Sequence, residues 1–259
     1  MTERDEPWTP GTPCWTDLMT SDVEAARSFY GSLFGWQMQV GPPDTGGYTM
    51  AEVGGRTVAG IGALPPDSKA PTLWATYLAT ADADATAAAV TAAGGTLYQE
   101  PFDVMAFGRM GVAADPAGAP FGFWQAGEHV GATLANEPNS MMWNECMSRD
   151  YEAAMDFYAA VFGYTYTDMS AENAQYSTIE VNGQMVGGIG ALTAEAPAGV
   201  PSHWMVYFAV EDTDATVDSA TNLGASVARA AVDSPYGRLA VLRDAQGATF
   251  SVITAAPPS

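Results

Sequence analysis

The sequence predicts an α+β protein in which one unit occurs twice, each unit consisting of two βαβββ modules. Two observations support this prediction: an internal repeat, and a regular change between strand and helix spacing. The passage WTDLMTSDVEAARSFYGSLFGW at 15–36 recurs as WNECMSRDYEAAMDFYAAVFGY at 143–164, with 10 identities in 22 positions. Further passages recur at offsets of 128 to 130, so we expect one domain at 12–126, a linker at 127–139 and a second domain at 140–255.

Each copy opens with a strand that is followed by an amphipathic helix. WTDLMT alternates apolar and polar residues, which predicts a strand with one buried face. Ser21 and Glu24 match a capping box, and Gly35 matches a C-terminal helix cap. The apolar residues between these caps lie at helical spacing and form one stripe, made by Ala26, Phe29, Tyr30, Leu33 and Phe34.

Strands and a second helix complete each half. Strands are expected near 36–40, 48–54 and 57–63, after which WATYLAT starts a new strand. An Ala-rich helix and three further strands then run to residue 125. The whole chain therefore contains four βαβββ modules that form two curved mixed sheets. Pairing of modules within one half and pairing across the halves both remain open.

The composition places the chain among acidic globular proteins. The formal net charge is −21 with only 9 Lys and Arg, a balance that repels phosphate backbones and anionic lipids. We therefore expect no nucleic-acid and no membrane partner. The first residues lack the apolar core of a signal peptide, so a cytoplasmic location is expected. Cys14 and Cys146 are too few for a disulfide framework and are interpreted as small core residues.

Repeated short motifs resemble those of one known superfamily. An Asp followed by a helix with FYxxxFG occurs at 22–35 and 150–163, and the turns DPAG and DAQG occur at 115–118 and 244–247. In this order they resemble the vicinal-oxygen-chelate superfamily, which includes glyoxalases, bleomycin resistance proteins and dioxygenases. The resemblance covers 12–255 and implies a tandem duplication of a glyoxalase-like domain that encloses two cavities.

The resemblance is more detailed to one group of that superfamily, the two-domain glyoxalase-like antigen family of actinobacteria, often labelled hydroxylase. Its shared segments appear here as GTPCWTDL at 11–18, GRMGVAADPAGA at 108–119, WNE at 143–145 and HWMVYFAV at 203–210. Shorter relatives obtain their module pairing by dimerising. Because the fused halves already supply that pairing, a monomer is expected, and a homodimer remains an alternative.

Metal-dependent members of the superfamily hold a cation through donors on four strands of each cavity. The corresponding positions hold Trp15, Ala75 and Gly122 in the first copy, Trp143, Met205 and Ser251 in the second, and the donor-free runs 57–64 and 185–192. Indole has no lone pair to donate, and Met and Ser are poor ligands for first-row metals. We therefore expect no metal and no other cofactor. His203 is interpreted as structural, and an atypical site built from His203 and Glu145 remains the alternative.

Strand alternation indicates which side chains face the two cavities. Asp17 lies two residues after Trp15, and Glu145 lies two residues after Trp143, so each carboxylate shares a strand face with an indole. Each cavity is therefore expected to contain one carboxylate beside one indole. The candidate ligand-binding residues are Trp15, Tyr77, Trp124, Trp143, Met205, Tyr207, Arg109 and Arg238. An aromatic wall with thioethers and a carboxylate suits a flat apolar molecule with a polar edge.

Asp17 and Glu145 are the candidate catalytic residues. A carboxylate on an inward strand face loses hydration and requires a partner. We expect an ion pair with Arg109 or Arg238, which are duplicated too. Recognition of a ligand and acid–base catalysis are the two alternatives.

Four functions remain in competition. The favoured hypothesis is a metal-free protein that sequesters or carries a small, aromatic metabolite. The second is a metal-free isomerase, lyase, cyclase or hydrolase that uses Asp17 or Glu145 as acid or base. The third is a glyoxalase-type or oxygenase metalloenzyme with an atypical site, and the fourth is an interaction protein whose cavities are vestigial.

Overall fold

The computed structural model describes residues 3–172, 174–193 and 199–256. In the N-terminal half the elements follow the predicted βαβββ order twice, with a short 3-10 turn at Pro43–Thr45. These elements are β1 (Pro13–Thr20), α1 (Val23–Phe34), β2 (Gln37–Val40), β3 (Thr49–Val53), β4 (Arg56–Ala63), β5 (Leu73–Thr80), α2 (Ala83–Ala92), β6 (Thr96–Val104), β7 (Gly108–Ala114) and β8 (Pro120–Ala126).

The C-terminal half repeats the same order, which confirms the predicted fold class. Its elements are β9 (Met141–Ser148), α3 (Tyr151–Phe162), β10 (Thr165–Asp168), β11 (Tyr176–Val181), β12 (Gln184–Ala191), β13 (His203–Ala209), α4 (Thr213–Asn222), β14 (Ser226–Ser234), β15 (Gly237–Arg243) and β16 (Thr249–Ala255). No helix within the described part of the chain has the length and apolar character that crossing a membrane requires.

Each half forms one eight-stranded mixed sheet from its own two modules. The strand order is β2-β3-β4-β1-β5-β8-β7-β6 in the first sheet and β10-β11-β12-β9-β13-β16-β15-β14 in the second. The first strands of the two modules pair antiparallel at the centre, with Asp17 opposite Ala75 and Glu145 opposite Met205. Module pairing is therefore within each half.

The helices begin at aspartates, which corrects the expected capping box. Asp22 is the N-cap of α1, and its carboxylate accepts a hydrogen bond from the amide of Ala25 at 3.0 Å. Ser21 therefore precedes the cap. Asp82, Asp150 and Asp212 cap the other three helices in the same way. A carboxylate at this position also opposes the positive end of the helix dipole.

The two halves pack through the apolar stripes of α1 and α3. The hydroxyl of Tyr30 on α1 donates to Asp244 of the C-terminal half at 2.9 Å and accepts from the indole of Trp74 at 2.9 Å. Reciprocally, Tyr158 on α3 lies against Phe121 of the N-terminal half, with ring centroids 5.6 Å apart. The recurring FYxxxFG and DxxG motifs thus form the contact between the halves.

The sheets themselves touch at their centres. The hydroxyl of Thr76 on β5 donates to the side-chain oxygen of Asn144 on β9 at 2.8 Å, and both residues are buried. Asp17 and Glu145 lie on the opposite faces of their strands, because neighbouring strand residues alternate. The two concave surfaces therefore point away from each other. Cys14 and Cys146 are both free and buried.

Candidate functional site

Asp17 lies at the centre of the N-terminal concave surface. It is paired in register with Gly60 on β4 and with Ala75 on β5, and only 5% of it is exposed. The hydroxyl of Tyr48 donates to its Oδ2 at 3.0 Å, and that of Tyr77 donates at 3.3 Å. Phenol hydroxyls therefore occupy the place in which a cation was expected.

Burial dominates the ionisation of Asp17. It raises the pKa of the carboxyl to about 7, and the hydrogen bonds from Tyr48 and Tyr77 oppose this rise. Oδ1 is buried and has no hydrogen-bond partner within the described part of the chain. The protonated carboxyl is favoured because the ionised form would leave an unpaired charge in an apolar environment.

Glu145 occupies the equivalent place in the C-terminal half. Tyr176 donates to its Oε2 at 3.0 Å, and Tyr207 donates to its Oε1 at 2.6 Å. Burial raises the pKa of Glu145, whereas the two tyrosines and the nearby positive charges of His203 and Arg229 oppose the rise. Unlike Asp17, Glu145 remains partly exposed.

An indole completes the network in each half. Trp15 Nε1 donates to the hydroxyl of Tyr48 at 3.0 Å, and Trp143 Nε1 donates to the hydroxyl of Tyr176 at 3.0 Å. The same chain of hydrogen bonds therefore runs from indole to phenol to carboxylate in both halves. Because each donor is used in this chain, the tryptophans orient the tyrosines toward the carboxylates.

Glycines on β4 and β12 provide the space for these tyrosines. An ideal Cβ on Gly60 would lie 1.9 Å from the hydroxyl oxygen of Tyr48, and one on Gly188 would lie 1.9 Å from that of Tyr176. The repeated GIGAL segments therefore serve close approach of a ring to the backbone.

The linker covers the N-terminal concave surface. The ring of His129 lies edge-on to Trp15 at 4.5 Å and contacts Trp124 at 5.5 Å, while Trp124 Nε1 donates to the His129 carbonyl at 2.8 Å. Burial lowers the pKa of His129 to about 4, and its Nε2 is buried without a partner among the described residues. Trp15 is only 4% exposed in this arrangement, whereas Trp143 stays partly exposed. The N-terminal surface is thus closed and the C-terminal one is open.

The expected ion pair of Asp17 with Arg109 is wrong. Arg109 binds Asp84 on α2 at 2.8 Å and Asp103 on β6 at 2.9 Å. The next residue on the strand, Met110, is paired with Trp124, whose ring lies against His129 on the concave side of the sheet. Because neighbouring strand residues alternate, Arg109 points to the opposite side, where the helices lie.

The expected pair of Glu145 with Arg238 is wrong for the same reason. Arg238 binds Asp214 on α4 at 2.7 Å and Asp233 on β14 at 2.9 Å. Both arginines join the second helix of their half to the outer strands.

The remaining predicted residues lie on the open surface or beside it. Met205, Tyr207 and Ile253 form a buried apolar cluster against which Trp143 packs. Ser251 is paired in register with Tyr207, and its buried hydroxyl has no partner among the described residues.

A separate cavity of about 250 Å³ lies away from both carboxylates. It is bounded by the N-terminal segment and by the ends of β5 and β8, with Trp8, Cys14, Thr80, Trp124 and Val130 in its wall. Trp124 is therefore the one predicted ligand-binding residue that borders this cavity.

Sequence reasoning missed Tyr48, Tyr176, His129 and Arg229. The two tyrosines had a usable signal, because they recur at the same offset of 128 as Trp15 and Trp143. His129 and Arg229 have no such repeat, and their proximity to the site follows only from the folded chain.

Two sheets, each made from a pair of βαβββ modules around a concave surface, define a tandem glyoxalase-type protein. Residues 14–123 match the model of the Glyoxalase/Bleomycin resistance protein/Dioxygenase superfamily, and residues 140–253 match that of a glyoxalase-like domain. The chain therefore belongs to the glyoxalase/bleomycin resistance protein/dioxygenase superfamily, which confirms the resemblance noted in its motifs.

Full-length relatives occur among actinobacteria. The chain is 43% identical over 264 aligned residues to the candidate glyoxylase CFP32 of Mycobacterium tuberculosis, with 99% of both chains covered. It is 39% identical to the anthracycline biosynthesis protein DnrV of Streptomyces peucetius, with 94% of this chain and 93% of the relative covered.

Among solved structures, the chain is similar to a Mn(II)-bound glyoxalase from Novosphingobium aromaticivorans. The TM-score is 0.67 at 15% identity, with 98% of this chain and 83% of the other covered. The 2,3-dioxygenase LapB from Pseudomonas sp. KL28 matches with a TM-score of 0.63 at 12% identity, with 97% and 96% covered. At such low identity these matches establish the fold alone.

The side chains of this protein do not fit a bound ion such as the Mn(II) of the Novosphingobium glyoxalase. Within the described ranges, no three His, Cys, Asp or Glu side chains lie close enough together to bind an ion. The atypical site expected from Glu145 and His203 offers only two donors, and both oxygens of Glu145 already accept hydrogen bonds from tyrosines. One carboxylate and one imidazole fall short of the three or four protein ligands typical of zinc sites.

Proposed function

We propose that the protein binds a small, flat aromatic molecule on the concave surface of its C-terminal half, without a metal. The observation that carries this proposal is the partly exposed pair of Trp143 and Glu145, fixed by Tyr176 and Tyr207. An indole held in one orientation supplies a stacking surface that needs little further ordering. The carboxyl beside it supplies one polar anchor that fixes the orientation of the bound molecule.

Methionines extend the aromatic wall. Met205 is 9% exposed and packs with Tyr207 in the cluster behind Trp143, while Met147 is partly exposed two residues beyond Glu145. Thioethers adapt to irregular ring edges and make favourable contacts with aromatic faces. Relatives named for anthracycline biosynthesis support the same class of ligand, because anthracyclines are fused-ring aromatic molecules.

The N-terminal half has a structural role in this proposal. His129 covers Trp15, and Asp17 is closed off beneath it, so no ligand reaches the first network without movement of the linker. The contact of Tyr30 with Asp244 ties this closed half to the open one. The same contact supports a monomer, since each half already has its packing partner in the same chain.

A second candidate function is acid–base catalysis by Glu145. Its support is the 2.6 Å hydrogen bond from Tyr207 together with the raised pKa of a carboxyl that solvent can still reach. A protonated Glu145 could transfer its proton to a bound molecule, and Tyr207 could stabilise the negative charge that remains. Glu145→Gln would then retain binding but stop conversion of the bound molecule, as followed by mass spectrometry. Conversion at an unchanged rate in Glu145→Gln would exclude this mechanism.

Isothermal titration with a panel of uncharged fused-ring aromatics, such as naphthalene-2-carboxamide and anthraquinone-2-carboxamide, tests the binding proposal. We expect Trp143→Ala to weaken binding about tenfold or more, because the stacking surface is lost. Trp8→Ala is the matched control, since Trp8 is also partly exposed but borders the separate 250 Å³ cavity. Loss of binding in Trp8→Ala alone, or no binding tighter than millimolar across the panel, would overturn the proposal.

A further inference from the structure

The open concave surface carries a histidine that the closed one lacks. His203 on β13 lies opposite Met147, and Leu73 on β5 lies opposite Met19 at the same register position of the N-terminal half. His203 is two residues from Met205, which lies opposite Glu145, so alternation places His203 on the face of Glu145. The imidazole is partly exposed, and its charge acts on the Glu145 carboxyl.

A backbone contact orients the His203 ring. Its Nδ1 lies 2.8 Å from the carbonyl oxygen of Pro201. A carbonyl only accepts, so Nδ1 must carry the proton. Nε2 is then left to accept a hydrogen bond, or to donate one when the ring is protonated.

An arginine is also specific to the open surface. Arg229 on β14 lies opposite Val241, and Gln99 on β6 lies opposite Val112 at the same place in the N-terminal half. Val241 packs against the cluster that contains Tyr207, which lies on the concave side. Residues directly opposite in an antiparallel pair point to the same side, so Arg229 lies on this side as well.

Arg229 differs from most other arginines of this acidic chain. Arg27, Arg56, Arg109 and Arg238 each bind at least one carboxylate. Within the described part of the chain, no carboxylate lies within ion-pair distance of Arg229, although its charge acts on Glu145. Arg4 and Arg243 also have no carboxylate at ion-pair distance among the described residues, and of these three arginines Arg229 is the one whose charge acts on Glu145. Its exposed guanidinium beside the concave surface therefore points to an anion from outside.

We propose that Arg229 and His203 bind the anionic group of the ligand, so that the site takes a planar aromatic acid in preference to a neutral aromatic molecule. This inference rests on the proposed function, because the ring of the same ligand stacks on Trp143. Arg229 supplies a permanent charge with a forked set of donors that matches a carboxylate. His203 lies on β13, which β16 and β15 separate from β14, and its Nε2 supplies a second donor when the ring is protonated. Glu145 in its protonated form donates to the same anionic edge.

A matched pair of ligands tests this inference directly. Anthraquinone-2-carboxylate and anthraquinone-2-carboxamide have the same ring system and differ in the charge of one substituent. Isothermal titration of the full chain at pH 6 and low salt measures both dissociation constants, because the lower pH favours the protonated forms of His203 and Glu145 while the ligand carboxylate stays ionised. We expect the carboxylate to bind about tenfold or more tightly than the amide, as a charge-assisted contact to arginine allows.

The chain offers its own conservative replacements for the two basic residues. Arg229→Gln and His203→Leu install the residues that the N-terminal half carries at the same register positions. We expect Arg229→Gln to reduce the preference for the carboxylate to within about twofold, and His203→Leu to reduce it in part, because the carboxylate loses more affinity than the amide in both. Lys69→Gln is the control for net charge, since Lys69 is exposed in the loop after β4.

The possible outcomes separate this inference from the proposed function. Equal binding of acid and amide by the unmodified protein, or a preference that survives Arg229→Gln, would overturn the inference and leave aromatic binding intact. A preference lost equally in Lys69→Gln would also overturn it, because the effect would then come from overall charge. Failure of both ligands to bind at millimolar concentration would overturn aromatic binding itself, and the inference with it.

Discussion

The hydroxyl of Tyr176 lies where a side chain at position 188 would begin. An ideal Cβ on Gly188 would stand 1.9 Å from Tyr176 Oη, far inside any van der Waals contact. The absence of a side chain at this position lets the ring lie flat across β12 and reach Glu145 at 3.0 Å. The same relationship holds between Tyr48 and Gly60 in the other half, so a glycine and a tyrosine together position each carboxylate.

Gly188→Ala should therefore displace Tyr176 and destabilise the protein. We expect a loss of about 1–3 kcal/mol in the free energy of unfolding, the usual range for overpacking a filled site. Urea denaturation followed by tryptophan fluorescence measures it. Gly31→Ala in α1 is the control, because its Cβ would meet the nearest atom at 3.6 Å and alanine favours a helix. Equal losses in the two variants would contradict the steric argument.

The buried carboxyl of Asp17 predicts a pH dependence of stability. Burial raises its pKa in the folded protein to about 7, above the value of 3.8 for an unperturbed carboxyl. A raised pKa means that the folded state holds the proton more tightly, so this stabilisation is full below pH 3.8 and is lost as the pH rises through 7. Asp17→Asn removes the titration, so its stability relative to the unmodified protein should rise by up to about 4 kcal/mol between pH 4 and pH 8. A constant difference between the two proteins across this range would refute the prediction.

The buried imidazole of His129 predicts a pH dependence of stability with the opposite sign to that of Asp17. Burial lowers its pKa to about 4 from 6.5, so the unfolded state binds a proton that the folded state resists. The stabilisation is full above pH 6.5 and is lost as the pH falls through 4, by up to about 3 kcal/mol. His129→Leu should abolish this loss, as measured by thermal unfolding from pH 4 to pH 7. The prediction fails if the leucine variant keeps the slope of the unmodified protein.

Tyr30→Phe should weaken the contact between the halves. The change removes a donor from Asp244, which is 6% exposed, and leaves the buried indole of Trp74 without its acceptor. Loss of a hydrogen bond to a buried carboxylate, with a second group left unpaired, costs about 2–4 kcal/mol. Chemical denaturation measures the loss, and Tyr98→Phe is the control because Tyr98 is 61% exposed. A similar small effect in both variants would show that the Tyr30 hydroxyl contributes little.

Arg238→Gln should leave ligand binding unchanged. Arg238 joins α4 to β14 through Asp214 and Asp233 on the helix side of the sheet, away from Glu145. Exposed ion pairs contribute little to the stability of a fold, so the site should keep its structure without them. We therefore expect dissociation constants within about twofold of those of the unmodified protein. Isothermal titration with the same aromatic acid checks this beside Arg229→Gln. A loss of affinity as large as that of Arg229→Gln would place Arg238 in the site after all.

Much of the fold could be predicted because periodicity is local. The apolar stripe around Tyr30 and the alternation around Asp17 predict α1 and β1 within one or two residues. The starting cap was wrong by one residue, because Ser21 and Asp22 are both good caps and the local sequence does not choose between them. Alternation also placed Asp17 and Glu145 on the inward faces of their strands.

The partners of those carboxylates could not be predicted in the same way. Repetition of Arg109 and Arg238 suggested an ion pair, but strand parity directs both to the helices. Tyr48 and Tyr176 reach the carboxylates from two strands away across a glycine, a contact between residues more than 30 positions apart.

The sequence by itself determined the duplication, the four βαβββ modules, the superfamily and the inward placement of one carboxylate beside one indole in each half. These properties depend on the spacing of residues along a strand or helix, which a linear pattern contains. Only the tertiary structure decided that modules pair within a half, that Tyr30 contacts Asp244 of the other half, and that His129 closes one concave surface while the other stays open. Those outcomes depend on which distant surfaces bury each other, and many pairings of the same modules satisfy the same local pattern.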